Sequence, residues 1–323
     1  MHSLERRTWL ATVLGSLAWP LQAQTSGAAR PIKLVVAYPP GGVSDMVARA
    51  LAEQLSVRLG VPMLVDNRAG AGGALAVNGV AQSPPDGHTW VFTALSPLTL
   101  APHLGPPPYG APDLTPVASV MYAPVLLAAT PAFAQGDFKA LLGHARQHPD
   151  AVRWATSGSG SLGHLMLENI CSTTQVHITH VPYKGGGQQI TDALSGQFEV
   201  LSTNASGVAL QHIKAGRLRA LAVGAAARLE ALPDVPTLGE LGLESANFCS
   251  HFGIFAPAGV PTAMVEKFNA HTNAVLALPA MRARLQAAEC VAALMSVTAF
   301  RTRVANEYRH MGAIVREAHI QSD

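Results

Sequence analysis

Three stretches of this sequence combine glycine with side chains suited to holding an anion. In YPPGGVSD, from Tyr38 to Asp45, Gly41 and Gly42 carry no side chain where backbone N–H groups could approach a ligand, and Ser44 or Asp45 can cap a following helix. In ATSGSGSLGHL, Thr156, Ser157, Ser159 and Ser161 supply hydroxyls, and Gly158 and Gly160 allow N–H groups to converge as a nest for a carboxylate. In VPYKGGGQQITDAL, Tyr183 and Lys184 can face a ligand. Asp192, one helical turn beyond Gln188, can meet an amine, cap a loop or face water.

Chemistry beyond binding finds little support in these residues. The first loop is not GxGxxG, and no lysine follows it as a phosphate-binding P-loop requires. Ser159 has glycines beside it rather than two residues away on each side, so it does not form the turn that exposes a hydrolase serine. The 13 histidines are scattered, and only His164, at the start of the helix after the serine-glycine loop, is a candidate for the site. Cys171, Cys249 and Cys290 lack the spacing of a metal site and read as buried apolar side chains, although one disulfide remains open to them. No cofactor or metal is expected.

The elements that would position these loops alternate. IKLVVAY reads as a buried strand stopped by Pro39-Pro40, and Met46, Val47, Ala50, Leu51, Leu55 and Leu59 recur at helical spacing up to Gly60. A strand follows at 61–65, then a helix at 74–82, the turn at 84–87 and the strand HTWVFTA. Apolar runs at 114–129 are split at Pro124. A second series follows, with a helix at 138–148, VRWATS, a helix at 162–171, ITHVPY, a helix at 188–194, FEVLSTN and LRALAVG. FGIFAPAG is a further strand, and helices after Pro261, at 279–288 and at 299–318 close the chain. Strand–helix alternation predicts an α/β fold with a largely parallel sheet, whose ligands bind beyond the carboxyl ends of its strands.

The first 24 residues read as a cleaved export leader, with Arg6 and Arg7 before an apolar run and Ala23 near the cut. Chain length places the rest just past the size at which one core gives way to two. With 13% charged residues, a net charge of +2 and no basic block among aromatics, nucleic acid is excluded as a partner.

From Arg30 to the C-terminus, six ordered motifs resemble the tripartite tricarboxylate transporter receptor family, the Bug family of periplasmic solute-binding proteins. They are RPIKLVVAYPPGGVSDMVAR, VDNRAGAGG, PPDGHTW, VPYKGGGQQITDALSGQFEV, AGRLRALAV and LPDVPTLGELG. The resemblance implies a two-lobed type II periplasmic binding protein-like fold with a central interlobe cleft. Its lobes would be 25–124 with a returning segment 249–323, and 125–248. It implies a monomeric periplasmic receptor that closes on a small organic carboxylate without catalysis. Delivery would be to the large and small membrane subunits of a secondary transporter. An orphan or sensory receptor is the alternative, and a hydrolase ranks behind it.

Carried onto this chain, the resemblance implies a site of Tyr38, Gly41, Gly42 and Asp45, with Gly72, Gly73 and Ser96 nearby. The facing lobe would add Ser157, Gly158, Gly160, Ser161, His164, Tyr183, Thr203 and Asn204, with Asp192 matching a common family aspartate. Two departures stand out. Ser202 and Thr203 occupy a neighbourhood where relatives often carry an aromatic and an aspartate, which disfavours an amino-acid ligand, and His88 replaces a more usual tyrosine.

Overall fold

The run IKLVV forms β1 (Ile32–Val36), and the helical spacing after the Pro-Pro-Gly-Gly turn forms α1 (Val43–Leu59), which ends on Gly60 in the left-handed conformation. The computed structural model describes residues 30–133, 136–317 and 320, and the leader expected at 1–24 lies outside them. The first series continues through β2 (Met63–Asn67), α2 (Ala74–Ala81), β3 (Thr89–Ala94) and the short helices α3 (Ser96–Thr99) and α4 (Ala101–Leu104). β4 (Leu114–Ala129) leads to α5 (Phe138–Gln147), β5 (Arg153–Thr156), α6 (Leu162–Thr174), β6 (Thr179–Pro182) and α7 (Gly186–Leu194). Then come β7 (Val200–Asn204), α8 (Gly207–Lys214), β8 (Arg219–Gly224) and β9 (Cys249–Pro257). The chain closes with α9 (Thr262–Leu276), α10 (Pro279–Ala287), β10 (Val291–Ala292) and α11 (Val297–Glu317).

The strands lie in the order β2-β1-β3-β9-β4-β7-β5-β6, with β8 and β10 also paired to β4. Leu114 to Pro124 of β4 pair with β9, whereas Val125 to Ala129 pair with β7 and β8. The apolar runs expected to be split at Pro124 are therefore one strand of 16 residues. Proline lacks an N–H, and this one stands where the strand exchanges one partner for others, so little pairing is lost.

The sheet is less parallel than the alternation predicts. β1–β2, β1–β3, β5–β6 and β5–β7 are parallel, but every pairing of β4 and β9 is antiparallel. A helix between strands signals a parallel return only within one series, and β4 and β9 instead carry the chain between the two halves.

Each half has its own core. Leu34, Leu51, Trp90, Val120, Ile254 and Phe268 share one, where the Trp90 and Phe268 rings stack at 4.3 Å. Leu127, Leu141, Trp154, Ile170, Val200 and Leu221 share the other. β4 feeds both, through Val117 to Ala123 and then Val125, Leu127 and Ala129. Each such fully buried side chain stabilises its half by roughly 1.5–3 kcal/mol. The three cysteines are free thiols, with Cys290 buried. Among the described residues, no helix is long and apolar enough to cross a membrane.

Candidate functional site

A cleft of about 280 Å³ lies where strand ends of both halves meet. Tyr38 follows β1, Ala94 ends β3 and Ser96 opens α3, while Ser157 follows β5 and Thr203 and Asn204 end β7. Phe252, on the connecting strand β9, closes the back, with its ring edge-on to that of Tyr38 at 5.9 Å.

The Pro-Pro-Gly-Gly loop is fixed from behind by Asp45. Its carboxylate accepts from the Gly41 N–H at 3.0 Å, from Asn67 Nδ2 at 2.9 Å and from Arg49 Nε at 3.1 Å. Burial alone would raise the Asp45 pKa, but the hydrogen bonds from Arg49, Gly41 and Asn67 outweigh it and hold the carboxyl below its usual range. Neither Ser44 nor Asp45 caps α1, contrary to the sequence expectation: Gly42 occupies the cap position and no side chain bonds there. Gly41 has spent its N–H on Asp45, so the donors left for the cleft belong to the uncapped first turn, at Val43 and Ser44.

The serine-glycine loop also spends donors internally. Gly158 N–H bonds Thr156 Oγ1, Ser161 N–H bonds the Gly158 carbonyl, and Gly160 N–H bonds His164 Nδ1. Its backbone is thus not the convergent nest anticipated, and Gly158 and Gly160 do not line the cleft. Its hydroxyls do. Ser157 and Ser161 reach the wall, and Ser161 Oγ accepts the His164 N–H as cap of α6, which leaves its own proton to donate. His164 is buried beneath the loop, stacked on His180 at 4.2 Å.

Four helices of eight residues or more begin at this wall: α1, α6, α7 and α8. Ser161 and Ser206 cap α6 and α8, whereas α1 and α7 have no side-chain cap. Each start carries about half a positive charge. Among the described residues, no lysine, arginine, aspartate or glutamate lines the cleft. The field that an anion would meet comes from backbone dipoles and hydroxyls.

Of the residues anticipated for the site, Tyr38, Gly41, Gly42, Ser96, Ser157, Ser161, Thr203 and Asn204 are brought together on the wall. Asp45 and His164 support it from behind. Tyr183 donates to Asp192 at 2.8 Å and Gln188 donates to the same carboxylate at 2.7 Å, so these groups brace α7 rather than line the cleft. Gly73 packs against Pro97 of α3, from which an added Cβ would stand 2.9 Å.

Gly72 and Gly158 sit where the halves touch. A Cβ on Gly72, whose φ is +60°, would stand 2.7 Å from the Ser159 carbonyl oxygen, and one on Gly158 would stand 3.0 Å from the Gly72 nitrogen. A second contact brings Gly185 and Gly187 of one half against Pro39 and Pro40 of the other.

Sequence reasoning missed Ser44, Gly163, Ser206, Ser250, Phe252 and His212 as wall residues. Ser206 carried a usable signal, a serine just before GVALQHIK with apolar residues at helical spacing. Ser250 and Phe252 arrive from the returning strand, and no local pattern announces that.

Comparison with known proteins follows the same lines. A family model described as "Tripartite tricarboxylate transporter family receptor" matches residues 47–320. The chain is 34% identical over 304 residues to BugT of Bordetella pertussis, covering 93% of each chain. Among solved structures it resembles Rpa4515 of R. palustris with adipate, with a TM-score of 0.84 and 31% identity over 90% of this chain and 98% of that one. It also resembles MatC from Rhodopseudomonas palustris with bound malate, with a TM-score of 0.83 and 29% identity over 88% and 99% of the two chains. These likenesses give the type II periplasmic binding protein fold.

Proposed function

Because the chain belongs to the tripartite tricarboxylate transporter receptor family, we propose that its cleft captures a small organic carboxylate by closure of the two halves around it. It is a periplasmic solute receptor and not an enzyme. The observation that carries the ligand class is the wall itself: four helix starts and a ring of hydroxyls, with no acidic side chain among the described residues to repel an anion. Malate and adipate, the ligands of two relatives, are both carboxylates.

Recognition runs through the first-turn N–H groups of α1 and α7, the Ser157 and Ser161 hydroxyls, and waters that complete the shell. The halves are 25–124 with 249–323, and 125–248, hinged where β4 and β9 cross between them. Contact of Gly72 with Ser159, and of Gly187 with Pro39 and Pro40, is the closed arrangement. The protein works as a monomer, since closure needs both halves free. It passes its ligand to the large and small membrane subunits of a secondary transporter. Uptake of the ligand by cells with and without this chain separates that role from a purely sensory one.

A thermal-shift panel on ligand-free mature protein tests the ligand class. Small carboxylates should raise the melting temperature in a dose-dependent way, because a native-state ligand stabilises by RT ln(1 + [L]/Kd). Neutral sugars should not. A shift with sugars, or none with any acid in a folded sample, refutes the proposal.

A further inference from the structure

The cleft does not stop at the helix starts. Ile190, Thr191 and Leu194 line it from α7, at positions i, i+1 and i+4, and Val208 and His212 line it from α8, at i and i+4. At a rise of about 1.5 Å per residue, His212 lies about 8 Å along α8 from Gly207 and Leu194 about 12 Å along α7 from Gly186. The cavity therefore continues as a groove between the two helices, away from the donors at their first turns.

The groove differs in character from the central wall. Ile190, Leu194 and Val208 make its sides apolar, and its far end carries an imidazole held in one orientation. Arg217 Nη2 lies 2.7 Å from His212 Nδ1. A guanidinium can only donate, so Nδ1 accepts and the ring proton sits on Nε2, at the opposite edge. Burial, and then the Arg217 charge, lower the His212 pKa, which keeps the ring neutral and in this tautomer at neutral pH. With the Arg217 guanidinium bonded to the other ring nitrogen, the Nε2–H is a donor beside a positive charge.

We propose that this groove is a specificity subsite for the body and far end of an elongated acid, with an apolar spacer between Ile190, Leu194 and Val208 and a distal acceptor on His212 Nε2–H. This rests on the carboxylate reading of the central cleft. A ligand reaching from the helix starts to His212 must span about 8 Å. That favours unbranched dicarboxylates of about six to eight carbons over four-carbon ones. Acids with a hydroxyl or carbonyl at the same distance fit less well, because they lack the charge that the field around Arg217 favours.

Calorimetric titration of the mature protein with succinate, adipate and suberate, alongside acetate, tests the subsite. Affinity should rise at least tenfold from succinate to the best longer diacid. H212L should lower the affinity for that diacid at least tenfold more than the affinity for succinate. L194W, which fills the groove from the other helix, should show the same selective loss. Equal affinity along the series, or equal losses for short and long acids in both variants, overturns the subsite and leaves the central carboxylate site standing. Failure of every acid to bind overturns both.

Discussion

Leucine in place of Gly187 should weaken ligand binding about 10- to 100-fold while leaving the melting temperature of the ligand-free protein unchanged or slightly raised. Gly187 lies in the first turn of α7, and an added Cβ would sit 3.8 Å from the Pro40 carbonyl oxygen and 3.9 Å from Pro39 Cβ. Alanine therefore fits the closed arrangement. The three further carbons of leucine must enter either the cleft or the space held by the opposite loop, and overpacking of that kind costs about 1–3 kcal/mol. The cost falls on the closed state alone, so it is read as lost affinity at tenfold per 1.4 kcal/mol. Within its own half the substitution replaces a helical glycine by a better helix former.

Gly72, Gly158 and Gly185 also stand at the contact between halves, but their positive φ would strain any side chain in open and closed states alike. Gly187 separates closure from folding because it lacks that handicap. Calorimetry on G187A and G187L, with small-angle scattering of ligand-free and ligand-bound samples, makes the measurement. G187A should bind like the parent, and G187L should stay expanded at ligand concentrations that compact the parent. Parental affinity in G187L would remove this contact from the account of closure.

The protein should also lose stability as pH falls from about 6.5 toward 3, with His251 as a principal cause. His251 lies on β9 opposite Tyr122 of β4, 2% exposed, with Nε2 2.7 Å from Ser119 Oγ. Its ring stands 4.4 Å from that of Tyr122 and 5.7 Å from that of Phe300 on α11. Two charged groups of α11 are close by: Arg303, which bonds Glu307 at 3.3 Å, and Glu307, which shares a small cavity with His251. Burial, and then the Arg303 charge, push the His251 pKa down to about 3.

The sign follows from linkage. Above about 6.5 the ring is neutral in folded and unfolded chains, and the native state loses nothing. Below that value the unfolded chain takes up a proton that the native chain refuses, so stability declines until about pH 3. A gap of that size corresponds to a loss on the order of 4 kcal/mol. H251Q should be less stable at pH 7.5, through lost ring packing, yet decline less steeply between pH 6.5 and 4. Urea unfolding at several pH values measures both. Parallel profiles for parent and variant would assign the acid sensitivity elsewhere.

The sequence carried more of the loops than of their chemistry. Ile32–Val36, the turn after it and the serine-glycine loop were legible because local rules act there: an apolar run, then residues that break it. Which N–H groups those loops offer was not legible. Gly41 gives its N–H to Asp45, and Gly160 gives its own to His164, through bonds that depend on the folded geometry. The pairing of Tyr183 with Asp192 likewise needs α7 in place. Local rules split β4 in two because proline usually ends a strand, and only the exchange of partners at Pro124 makes one strand tolerable. The sequence reading passes over α8 although Ser206 stands before apolar residues at helical spacing, and the groove with His212 goes with it. Phe252 reaches the cleft only through β9, which is paired with strands more than 100 residues earlier in the chain.

The central claim is that a wall without lysine or arginine among the described residues selects an anion through helix starts and hydroxyls. Titration calorimetry with the tightest acid of the thermal-shift panel, and then with its primary amide, tests that claim most directly. The amide keeps the shape and removes the charge, and charge-assisted bonds are roughly twice as strong as neutral ones. The acid should bind at least about 100-fold more tightly than the amide, a gap of about 2.7 kcal/mol. Equal binding of acid and amide would contradict the account, because it would show that the cleft reads shape and not charge.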